Sequence, residues 1–192
     1  MNGGRLARLR GAPATSALLV VLVVVFLASW ARPELLVRFV KDDDLIRAGE
    51  VWRLVTANFL HAGIAHLAVN GFALAAIGPA VEQLYGRAWF VAIFVVGGTF
   101  GFGASTLFVT RPSLGASAGL FALLGVLLGF PIRARERIRP AARRAMMREI
   151  LVVAALNLAL GLMVPFIDNA AHVGGFVTGV ALGLLIPPRH LP

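Results

Sequence analysis

Residues 115–125, Gly-Ala-Ser-Ala-Gly-Leu-Phe-Ala-Leu-Leu-Gly, open the apolar run whose reading decides the fold. The run extends from Ser117 to Phe130. As a helix it is only on the order of 20 Å long at ~1.5 Å per residue, short of the ~30 Å hydrocarbon core that a spanning helix must cross. The segment before it must therefore dip into the bilayer. If Pro131 and the arginines after it mark one membrane surface, Ser117 lies roughly 10 Å below the other. A lone serine among small residues in such a helix ordinarily serves close helix packing. Whether Ser117 does more depends on what the rest of the chain brings to its level.

Hydrophobic residues make up 59% of the chain and charged residues 14%, more apolar surface than a soluble core of this size can hide, so the bilayer acts as part of the solvent. The expected class is an all-α integral membrane protein. No linker or internal repeat divides the chain, and the reading is a basic N-terminal segment (1–13), one six-helix domain (14–186) and a short tail (187–192). Cysteine is absent, which removes disulfides, thiol nucleophiles and thiolate metal sites together. The net charge of +9 follows membrane topology in its distribution, so no nucleic-acid partner is expected.

Arg5, Arg8 and Arg10 precede an apolar stretch over residues 14–30, read as a first span anchored by Trp30 in preference to a signal peptide cleaved near Ser29-Trp30-Ala31. Residues 31–60 interleave charges of both signs with apolar residues, which predicts a structured outer loop of short amphipathic helices. Further spans are expected at residues 64–80, 88–108, 117–130, 149–165 and 169–186. Seven arginines between 133 and 148, with Arg5, Arg8, Arg10, Arg87 and Arg189, place 12 of the 18 basic residues on one side. The positive-inside rule makes that side cytoplasmic, with both termini inside and anionic membrane lipids within reach of the basic loop.

Spans two, four and six then run in the same direction, and each carries its polar residues near its outer start. Counted from the cytoplasmic edges, Ser117 stands roughly 20 Å above Phe130, His172 roughly 21 Å above Ile186, and His66 and Asn70 roughly 24 and 18 Å above Glu82. Polar groups at one depth in hydrocarbon mark a functional site by default. Gly175, Gly179 and Gly183 share a helical face with His172, and Ala118, Ala122, Gly125 and Gly129 offer a matching stripe, so packing the two brings His172 to Ser117. A hydroxyl needs a base within ~2.6–3.2 Å to become a nucleophile, and neutral imidazole suits that task. His66 and Asn70, stacked on one face of the second span, are candidate donors to a developing oxyanion. Asp168, just before the sixth span, reads as its N-cap and not as a third catalytic member.

His61-x4-His66-x3-Asn70, Gly115-x-Ser117 and Ala171-His172-x-Gly174-Gly175-x3-Gly179 together resemble the rhomboid family of intramembrane serine proteases, with Trp52-Arg53 and Glu82-x3-Gly86 also matching. The similarity runs from about residue 50 to 185. It implies a six-transmembrane-helix bundle with a short, submerged fourth helix, in the plasma membrane of a bacterium. It implies a protease that cuts the transmembrane segments of single-pass proteins near their outer ends. Ser117 would be the nucleophile, His172 the base, and His66, Asn70 and the Ser117 amide would surround the oxyanion. Two positions depart from the usual pattern: Ala118 and Gly119 stand in swapped order, and Phe121 replaces a tyrosine found in some members. No cofactor and no metal are expected. The competing readings are a catalytically inactive rhomboid-like protein that binds membrane clients, and a small transporter using His66 and His172 as a proton relay.

Overall fold

The computed structural model describes residue 9 and residues 11–189; the expectations resting on Arg5, Arg8 and Arg10 lie outside the described residues. Among the described residues, six long apolar helices form an all-α membrane bundle: α1 (Pro13–Ala31), α5 (Ile64–Tyr85), α6 (Arg87–Phe108), α7 (Ser117–Arg133), α8 (Pro140–Met163) and α9 (Asn169–Leu185). Between the first two stand the short helices α2 (Glu34–Phe39), α3 (Asp43–Arg47) and α4 (Arg53–Thr56), followed by a 3₁₀ turn at Ala57–Phe59. Four of the long helices have the length and apolarity to cross a bilayer, whereas α7 and α9 have 17 residues each.

The bundle is built on α7. Every residue from Ala118 to Val126 is buried, so this helix has no lipid-facing stripe over its first turns. In hydrocarbon there is no hydrophobic force between helices, and close contact depends on small residues that let backbones touch. A β-carbon placed on Gly179 would fall 2.1 Å from the Ala122 carbonyl oxygen, and one on Gly125 2.2 Å from that of Phe176. On the other side, a β-carbon on Gly97 of α6 would fall 2.0 Å from that of Ala122, and one on Gly101 3.0 Å from that of Ala118. Thus α6, α7 and α9 form a glycine-faced core, with α7 and α9 running in parallel.

At the end opposite Ser117, α1 starts on Pro13 without a cap of its own. Glu82 of α5 takes that role: its carboxylate accepts the Ala14 N–H at 2.9 Å, the Thr15 N–H at 2.7 Å and the Thr15 hydroxyl at 2.8 Å. The anion also complements the positive end of the helix dipole. At the serine end, the loop between α1 and α5 is held from within. Arg53, buried, donates to Glu50 Oε2 at 2.6 Å and to the Val37 and Val40 carbonyls. Lys41, with no exposed surface, sits 2.9 Å from Asp43 Oδ1 and donates to the Val109 carbonyl at 2.8 Å.

Three boundaries differ from the sequence expectation. The fifth long helix begins at Pro140 and not near residue 149, so Arg143, Arg144 and Arg148 ride on its first turns. Proline is pre-organised for a helix start, and a helix that projects beyond the hydrocarbon has no need of apolar residues there. Helices α5 and α7 likewise run on through Pro79 and Pro131 to Tyr85 and Arg133.

Candidate active site

The strap from 109 to 116 delivers Ser117 to the first position of α7. Gly115 adopts φ +129°, a conformation that L side chains rarely reach, and its N–H donates to the Ala57 carbonyl at 2.9 Å. The strap is pinned upstream as well, where Ser113 and Lys41 exchange backbone hydrogen bonds of 3.1 and 3.2 Å. Ser117 is half-buried at the floor of a cavity, and its Oγ lies 2.8 Å from Nε2 of His172, one turn into α9. Phe121, one turn below Ser117, stacks flat on the imidazole. Nδ1 of His172 is buried with no hydrogen-bond partner among the described residues.

Across the cavity, α5 presents His66 and Asn70 on one face. A β-carbon on Gly115 would stand 2.7 Å from His66 Nε2 and 3.6 Å from Asn70 Nδ2, so both side chains look onto the backbone just before the serine. Asn70 is buried and its Nδ2 has no partner among the described residues. The structure therefore brings all four sequence-selected residues, Ser117, His172, His66 and Asn70, around one cavity of about 450 Å³. Its side wall is the gap between Val69, Ala73 and Ile77 of α5 and Val153, Asn157 and Leu160 of α8. A hydroxyl paired with an imidazole, facing the unpaired amide of Asn70 across a cavity, is an arrangement able to carry out acyl transfer.

His61 lies behind His66, fully buried, with the ring centroids 5.0 Å apart and edge to face. Burial, and then the neighbouring His66, push its imidazole from the usual 6.5 down to about 4. It is thus neutral packing that backs His66.

Asp168 is the N-cap of α9, accepting the Ala171 N–H at 3.0 Å, as the sequence suggested. It does more than that. Its Oδ2 accepts the Ser105 hydroxyl at 2.5 Å and the Ser113 hydroxyl at 2.7 Å. Neither serine was singled out from the sequence, and nothing local marks them: each is one small polar residue among many, and their convergence depends on the course of the strap. Lys41 was missed for a similar reason, since a lysine beside three aspartates reads as a solvated charge cluster.

A family model describing the rhomboid domain matches residues 48–189. The chain belongs to the rhomboid family. Among its relatives, the rhomboid protease GluP of Bacillus subtilis (strain 168) is 42% identical over 156 residues, which cover 79% of this chain and 30% of that protein. RHOMBOID-like protein 6, mitochondrial, of Arabidopsis thaliana is 37% identical over 143 residues, 74% of this chain and 46% of the relative. RHOMBOID-like protein 2 from the same plant is 42% identical over 142 residues, covering 72% and 44%. The matched part of this rhomboid chain thus spans less than half the length of each of these relatives. Every residue placed around the cavity falls inside the matched segment, from His61 to Asp168 and His172.

Proposed function

We propose that this rhomboid is an intramembrane serine protease that hydrolyses a peptide bond at the outer end of a substrate's transmembrane segment. The observation that carries the reading is the 2.8 Å contact between Ser117 Oγ and His172 Nε2 at the floor of a cavity inside the bundle. His172 accepts the hydroxyl proton through Nε2 as Oγ attacks the scissile carbonyl. The developing oxyanion lies within reach of the Asn70 amide, His66 and the Ser117 N–H, donors that need no reorganisation at the moment of reaction. Collapse of the tetrahedral intermediate leaves an acyl group on Ser117 and passes the proton from His172 to the departing amine. Water, activated by the same imidazole, then releases the acid product. Neither a metal nor a cofactor has a part in this sequence.

The arginine-rich end faces the cytoplasm in this reading, with both termini inside, and the membrane is the plasma membrane of a bacterium. Substrates are transmembrane proteins, reaching Ser117 through the apolar gap between α5 and α8; nucleic acid is not a partner, and lipid headgroups contact the arginines.

The test is to treat the purified protein with a fluorophosphonate and map the adduct by peptide mass spectrometry. Modification at Ser117, lost in His172→Ala, is expected. A folded protein that is not modified and does not cut reporter transmembrane substrates would favour the client-binding reading instead.

A further inference from the structure

Ser117 and His172 approach each other from different parts of the chain, and at this end of the bundle the Asp168 carboxylate is a buried link between the two arms, beside exposed bonds from Arg111 of the strap to the Pro165 and Ile167 carbonyls. Oδ1 fixes the first turn of α9 through the Ala171 N–H, directly before His172. Oδ2 holds Ser113, four residues before Ser117, and Ser105 in the last turns of α6. The carboxylate is 7% exposed and Ser105 is fully buried, so these bonds face little competition from water and each is charge-assisted. The strap is fastened on its other edge by Lys41 and Ala57. A rigid α7–α9 seam fixes the helices along their length, yet the strap has irregular backbone, and its distance from α9 is set by side-chain bonds: the buried one from Ser113 to Asp168 and the exposed ones from Arg111 to the Pro165 and Ile167 carbonyls.

We propose that Asp168 is a positioning residue for the protease reaction, a strut that sets the distance between the strap carrying Ser117 and the helix carrying His172, with Ser113 and Ser105 as its anchors. The inference rests on the protease reading of the site. Asp168 does not touch the reacting atoms; it acts through the placement of Oγ against Nε2, where misplacement of about 1 Å can lower a rate on the order of 10²-fold.

The experiment compares Asp168→Ala, Asp168→Asn, Ser113→Ala and the Asp168→Ala/Ser113→Ala double variant, purified in detergent. Cleavage of a reporter transmembrane substrate is measured for kcat and KM separately, and amide hydrogen exchange is followed over residues 109–117. Asp168→Ala should lower kcat about 10²-fold with KM little changed, because substrate binding does not use the strut. Ser113→Ala should fall in the same direction by a smaller factor. The double variant should be no worse than Asp168→Ala alone, as expected for partners in one bond network. Asp168→Asn should recover most of kcat, since its oxygen still caps Ala171 and its amide can donate to the serine oxygens. Exchange across the strap should speed up in both alanine variants. Wild-type kcat in folded Asp168→Ala, or in Ser113→Ala should the former not fold, overturns the proposal, as does a double variant whose losses multiply. Fluorophosphonate labelling of the wild type separates the two readings: an unlabelled Ser117 refutes the protease, and unchanged exchange across the strap then refutes the strut on its own.

Discussion

Phe121 lies parallel to His172, with ring centroids 4.3 Å apart and an interplanar angle of 12°. Because Phe121 is four residues after Ser117 on the same helix face, α7 supplies both the hydroxyl at one edge of the imidazole and the plate against its face. With no partner on Nδ1 among the described residues, stacking takes over part of the orienting work that a hydrogen bond would perform. Phe121→Ala should therefore lower kcat by roughly 10- to 10²-fold through loss of ring placement. Phe121→Tyr, which keeps the plate, should stay within a few-fold of wild type. Equal rates for the alanine and wild-type proteins would show that the contact is packing alone.

Replacing Ser117 or His172 by Ala should abolish cleavage of a reporter substrate while leaving the protein folded, and the double variant should be no worse than either single one. Asn70→Ala should be milder, a loss of up to ~10²–10³ in kcat from one missing oxyanion donor. Chelators should leave the rate unchanged. Kinetics of the four proteins against one substrate, with a folding check by size exclusion, decide the matter; robust cleavage by Ser117→Ala would end the serine-protease reading.

The glycine seam offers a contrast between two positions of the same residue type. At Gly179 the first added carbon would meet the Ala122 carbonyl oxygen at 2.1 Å, while at Gly103 nothing stands within 4 Å. Gly179→Val should force α7 and α9 apart by an ångström or more, lowering the thermal midpoint and cutting kcat on the order of 10²-fold. Gly103→Ala should do neither. Differential scanning fluorimetry in detergent reads the first effect, and a Gly179→Val protein as stable and active as wild type would place that face against lipid.

His61 sets a pH dependence. Its imidazole sits at about 4 when folded, against 6.5 unperturbed, so between those values the unfolded chain binds a proton that the native one refuses. Stability therefore rises with pH across this window and is lost as pH falls from about 6.5 toward 4. A single group contributes at most a tenfold change in the unfolding constant per pH unit. His61→Gln should make the fall in thermal midpoint between pH 7 and 4.5 shallower; an unaltered slope would mean that His61 already takes up its proton in the folded protein.

How much could be read in advance depended on the range of the contacts. The meeting of Ser117 with His172 was legible because it is encoded by helical periodicity: small residues every three or four positions define which faces touch, and depth follows from counting along three parallel helices. The Asp168 strut was legible only in its local half. Its cap on Ala171 spans three residues, whereas its bonds to Ser105 and Ser113 span 63 and 55, and no periodic pattern constrains a strap of irregular backbone. The burial of Lys41 belongs to the same class, since beyond the nearby Asp43 it donates to the Val109 carbonyl, 68 residues away. The start of α8 escaped notice because hydropathy reports where the hydrocarbon begins and not where the helix does.

Glu82 and the first turn of α1 lie 67 and 68 residues apart in the chain, and this separation bears on biogenesis. As the chain emerges during synthesis, α1 is made well before the carboxylate that will cap it, so its leading amides must first be served by headgroup water. Insertion of α1 and its docking on α5 are then separate events. Until α5 is in place, the Ala14 and Thr15 amides and the Thr15 hydroxyl lack the carboxylate that receives them in the finished bundle. One side chain from a later helix completes the first turn of the earliest one.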